Sequence, residues 1–146
     1  MKFLLLLTMV TCCGTALDLT NTPINEPGMN PLADETIQFE ELTGKLVTTV
    51  ISFRPHPYDD ESGPVSDKTL AYCAIEYDYV RVNAKLFSGL DARTRFFLLA
   101  HEVLHCQYGV DHITGRLSVM NSKMHNTETL RVNNNDLMDE IKELTQ

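Results

Sequence analysis

Twelve residues of the chain, "HEVLHCQYGVDH" from His101 to His112, hold three of its five histidines. His101 and His105 lie four apart, so on a helix both imidazoles leave the same face about one turn apart and can grip one Zn²⁺. Glu102 is rotated off that line, which suits a base acting on water rather than a ligand. A lone histidine is ordinarily a satisfied or exposed imidazole. Here the helix is otherwise apolar, and two histidines with a glutamate inside it need a compensating partner to justify burial. The third ligand must come from beyond the helix. Gly109 ends it, and the following "VDH" can turn the chain so that His112 comes back under the metal.

These residues need a rigid carrier. Asp91 has the chemistry of an N-cap, and the segment Ala92 to Tyr108 reads as a helix closed by Gly109. Phe96, Phe97, Leu98, Leu99, Ala100, Val103 and Leu104 surround it almost completely, the mark of a buried helix. Upstream, Asn30 and Pro31 look like an N-cap and first helical residue with Gly44 past the end, predicting a helix over 31–43 that carries Leu32, Phe39 and Leu42. The β-branched run from Lys45 to Phe53 predicts a largely buried strand. A polar loop over 54–69 follows. Its Asp59, Asp60 and Glu61 lack the alternating ligand spacing of a calcium loop and read as solvated acids. "AYCAIEYDYVRVNAKLF" returns to strand character, with Cys73, Ile75, Tyr77 and Tyr79 on one face, and fits an edge strand or a hairpin. Near the C-terminus Asn135 is expected to cap a last helix whose Leu137, Ile141 and Leu144 form an ordinary packing stripe. The sum is one α+β domain.

Beyond the histidines the chain continues as "RLSVMN", and this pairing of motifs resembles the metzincin class of zinc peptidases. Their pattern is HExxHxxGxxH followed by a methionine-containing turn below the metal. The resemblance covers Asp91 to about Asn121. It implies a short mixed sheet packed on a buried active-site helix, one Zn²⁺ held by His101, His105 and His112, and Met120 supporting the ligand base without touching the metal. The implied activity is hydrolysis of a protein or peptide substrate with Glu102 as general base. The spacing departs from the pattern by one residue, since Gly109 and His112 come four and seven after His105. Exported bacterial metzincin-like proteins with an HExxHC core and an extended turn are the nearest comparison. Asp111 stands at the usual sixth position and is the alternative ligand, followed by a distant group such as Glu128. No tyrosine follows Met120 to assist an oxyanion. His56, between prolines, and His125 are expected to be exposed rather than catalytic.

Length and composition bound the rest. At 146 residues, with 43% apolar and 22% charged residues, the chain suits a single core. Residues 1–16, "MKFLLLLTMVTCCGTA", have the pattern of a secretory signal peptide and are too short to span a bilayer. Gly14 and Ala16 fit a cleavage site, while Cys12 or Cys13 is placed where a lipoprotein carries its lipid anchor. Residues 17–30 read as a flexible linker and 31–146 as the metallopeptidase-like domain. The expected protein is exported: secreted, periplasmic or lipid-anchored to the envelope, and a monomer. Loss of Lys2 leaves 11 basic against 20 acidic residues, a charge of −9, and with no basic stripe nucleic acid is not an expected partner.

The exported domain keeps Cys73 and Cys106, and a disulfide is the economical reading, ahead of a free buried pair or a zinc thiolate. Two rivals of other kinds stand beside the peptidase: a gluzincin-type or aspartate-ligated enzyme, and a non-catalytic zinc-binding or adhesion module in which the metal only staples the fold.

Overall fold

The computed structural model describes residues 31–54, 69–75 and 79–146. The expected signal peptide and linker, Cys12, Cys13, His56 and the acidic loop therefore lie outside the described residues, as do the Asn30 cap and the residues 76–78 of the strand pattern.

The helix that carries the histidines organises the domain. Before it come α1 (Ala33–Thr43), β1 (Val50–Arg54), β2 (Ala71–Ala74), β3 (Tyr79–Asn83) and the single turn α2 (Ala84–Phe87). The central helix is α3 (Ala92–Tyr108), and α4 (Thr127–Val132) and α5 (Asn134–Leu144) follow. Contacts from α1, β2, β3, α4 and α5 all converge on α3. That is the consequence of its apolar circumference: Phe96, Phe97, Leu99, Ala100, Val103 and Leu104 are each at most 1% exposed, so the middle of the helix is enclosed and only its ends reach water. Its ends agree with the sequence. Asp91 accepts the Thr94 N–H, and Gly109 takes the left-handed conformation at φ 65°.

The sheet has the order β1-β3-β2, with β1 parallel and β2 antiparallel to the central β3. It is therefore mixed and short, and the expected hairpin is present as β2 and β3, with β2 on an edge. Val80 and Val82 of β3 and Ile51 of β1 enter the core beside α3. Cys73 of β2 and Cys106 of α3 form a disulfide, with Cα atoms 5.5 Å apart. An ion pair between buried Glu35 and the half-buried Arg95, at 2.8 Å to Nε, ties α1 to the first turns of α3.

Three expectations are corrected. α1 begins at Ala33 after Leu32, which offers no side-chain cap, and Pro31 sits in a turn before it. The strand expected from Lys45 starts only at Val50, because side chains satisfy the backbone ahead of it. Val47 N–H donates to Glu40 Oε1, Thr48 N–H to Gln107 Oε1, and Leu46 C=O accepts from Gln107 Nε2. With those groups already paired, no neighbouring strand can form a ladder there. The last helix starts at Asn134 with no side-chain cap, so Asn135 lies inside it. The preceding α4 went unnoticed in the sequence although Asn126 caps it, accepting from Thr129 N–H.

Candidate metal centre

His101 and His105 come from adjacent turns of α3, and His112 comes from the loop that Gly109 turns back. One ligating atom from each of the three lies within 4.8 Å of the other two. The rings of His105 and His112 have centroids 4.6 Å apart, and those of His101 and His112 are 5.3 Å apart. Burial grades outward: His101 is buried, His105 half-buried, His112 exposed. The site thus sits at the end of the core and opens to solvent through His112. Asp111 is exposed and outside this group, and its negative charge acts on His105, favouring the charged imidazole. Glu128 is exposed and committed to Arg131, at 2.6 Å.

Both helical rings are oriented by the backbone. His101 Nδ1 lies 2.8 Å from the Val119 carbonyl, and His105 Nδ1 contacts the Val110 carbonyl. A carbonyl can only accept, so in each neutral ring Nδ1 carries the proton and Nε2 presents its lone pair. The two Nε2 atoms face each other at 3.1 Å. The two carbonyls thus fix the tautomer and the ring angle of both imidazoles, the condition under which such rings could hold a metal. Desolvation by burial lowers His101 from 6.5 to about 4, which keeps the ring neutral at neutral pH. The same cause, desolvation, lowers His105.

Glu102 is buried beside this set. Desolvation raises its carboxyl from 4.5 to about 8, while a hydrogen bond from the Cys73 backbone N–H pulls it partly back. Glu102 and His101 share a cleft of about 340 Å³ whose other walls include Leu70, Phe97, Met124 and His125. His125, expected to be exposed, is half-buried here, with Nε2 donating to the Ser118 carbonyl at 3.0 Å.

The turn that carries Met120 meets the site through the Val119 carbonyl, the partner of His101. Ser118 and Met120 are completely buried and Val119 nearly so. Its backbone is satisfied locally: Met120 N–H donates to Ser118 Oγ, Ser118 N–H to Asn121 Oδ1, and Ile113 N–H to the Met120 carbonyl. Val119 N–H reaches α5, donating to Glu140 Oε2 at 2.7 Å. Glu140 was missed by the sequence reading, where its helix appeared as a packing element. The available signal was an acid four residues before Leu144 and next to Ile141, within the apolar stripe. Of the described residues that sequence reasoning singled out, His101, His105 and His112 come together with Glu102 beside them, Cys106 is bonded to Cys73, and the alternative ligands Asp111 and Glu128 lie outside the group. Comparison with family models, curated proteins and solved structures finds no match for the chain.

Proposed function

We propose that the chain is a zinc-dependent, metzincin-like peptidase of the exported type, hydrolysing a protein or peptide substrate. The observation that carries this reading is the three-imidazole set, two of its tautomers fixed by backbone carbonyls, open on the His112 side and adjoining a desolvated carboxyl. The donor chemistry fits Zn²⁺: three neutral nitrogen ligands, with a fourth position left for solvent or substrate, is the composition of a hydrolytic rather than a structural zinc site. Bound there, Zn²⁺ supplies an activated water and polarises the scissile carbonyl.

The chain's own groups do the rest. Burial raises the Glu102 carboxyl in the metal-free protein; a cation bound at the adjacent imidazoles would favour its ionised form, which accepts the proton of the attacking water and returns it to the leaving amine. Val119 and Val110 carbonyls keep the two helical imidazoles aligned. The cleft beside Glu102 offers apolar walls, Leu70, Phe97 and Met124 among them, to a substrate side chain. A zinc staple explains less. A structural site is normally closed by a fourth protein ligand, and burying Glu102 next to it stabilises nothing.

The test is metal analysis of the purified protein together with cleavage of an unfolded protein substrate, with and without chelator. One zinc per chain and chelator-sensitive cleavage are expected, with Glu102→Gln keeping the zinc while hydrolysis falls by about 10²–10⁴. Equal cleavage by wild type and Glu102→Gln at equal zinc content overturns the mechanism.

A further inference from the structure

We infer that Glu140 is a positioning residue for the metal centre, setting the orientation of His101 through the backbone of Val119 from a helix that carries no ligand. This rests on the metal-site reading above, and it identifies what holds that site's most buried ligand.

The path is short. The Glu140 carboxylate accepts the Val119 N–H at 2.7 Å, and the carbonyl of the same residue accepts the His101 Nδ1–H at 2.8 Å. Val119 is therefore held between a charged acceptor on one side and an imidazole donor on the other. A charge-assisted hydrogen bond between buried groups is among the stronger noncovalent links available to a backbone. The other carboxylate oxygen of Glu140 meets the Arg116 guanidinium at 2.9 Å, so the loop from His112 to the methionine turn is gripped at two points by one side chain. Arg116 is mostly exposed, whereas Glu140 is buried. The side that faces Val119 is thus the structurally committed one. Ligating histidines depend on such outer contacts for ring angle and tautomer, and losing one typically weakens metal binding by about 10–100-fold.

Reach, rather than charge, is what this role requires. Glu140→Gln keeps an oxygen that can accept from Val119. Glu140→Asp keeps the charge but withdraws the acceptor by one methylene, and Glu140→Ala removes it. The experiment measures zinc affinity by competition with a chromophoric chelator and, in zinc-free protein, the ¹⁵N shifts of the His101 ring, which report the tautomer. Wild type should show a single Nδ1–H tautomer. Gln should stay within about threefold of wild-type affinity, while Asp and Ala should lose about tenfold or more and show mixed His101 tautomers. Glu35→Gln, which disturbs a buried acid on α1 remote from the turn, is the control: it should lower Tm and leave zinc affinity and the His101 tautomer unchanged.

Should Ala fail to fold, the order of Gln against Asp decides. Asp retaining and Gln losing affinity assigns Glu140 a charge effect and overturns the positioning role, as do unchanged affinity and tautomer in every variant. A wild-type protein that binds no zinc sinks the peptidase reading instead, and the His101 tautomers of the zinc-free variants still judge Glu140.

Discussion

His101 Nε2 and His105 Nε2 stand 3.1 Å apart with their lone pairs turned toward each other, because each ring has committed its Nδ1–H to a backbone carbonyl. Two acceptors at that distance repel unless a proton or a metal ion lies between them. A cation held between them, as in the zinc site proposed above, would relieve that repulsion.

Zinc affinity should rise with pH, since imidazoles bind a metal ion in their neutral form. His105→Ala and His112→Ala should each weaken zinc binding by more than about 100-fold, beyond the loss typical of an outer contact, whereas Asp111→Asn should change it little. Calorimetric titration at pH 6, 7 and 8 checks both statements; full affinity in His112→Ala would transfer the third position to another residue.

Glu102 makes the zinc-free protein sensitive to alkaline pH. Its folded-state carboxyl is raised to about 8, so between the ordinary value of 4.5 and 8 the native state holds a proton that the unfolded state has lost. Stability from this group is fully present below pH 4.5 and declines as pH rises to 8, by at most about 4 kcal/mol. His101 acts oppositely. Lowered to about 4, it costs stability as pH falls from 6.5 toward 4, because only the unfolded imidazole takes up the proton. In chelator, Glu102→Gln should gain Tm relative to wild type at pH 8 and show little gain at pH 5. Parallel Tm-against-pH curves for the two proteins would refute this.

The disulfide joins β2, whose Cys73 N–H meets Glu102, to the residue immediately after His105. Closing a 33-residue separation should contribute about 2–4 kcal/mol, read as a lower denaturant midpoint in the Cys73→Ser, Cys106→Ser double variant. Hydrolysis should fall further than the lost stability explains, since the strand that holds Glu102 is released. Activity that survives unchanged in the folded double variant would limit the bridge to stability.

Gly109 has φ 65° and open space around its α-carbon, so Gly109→Ala meets backbone strain without a clash. A cost of about 1–2 kcal/mol is expected. Because the following carbonyl, that of Val110, orients His105, zinc affinity should fall along with Tm. A drop in Tm alone would show that the turn absorbs the strain before it reaches the ligand.

The central helix was legible because its signals are local: an acid that can cap at Asp91, a glycine at 109, and apolar residues on every side act within a few residues of one another. The histidine spacing followed from the helix period, and His112 from the turn that Gly109 enforces. Pairing Cys73 with Cys106 followed from counting. What the sequence did not reveal depends on partners distant in the chain. The strand after Gly44 lost its first residues because Gln107, 59 residues beyond Thr48, took their hydrogen bonds. Glu140 looked like a residue of a packing helix until the fold set it 2.7 Å from Val119, 21 residues earlier. Propensity and periodicity report the backbone's preferences over one or two turns, whereas the satisfaction of a buried polar group is decided by whatever the tertiary structure brings within hydrogen-bonding distance.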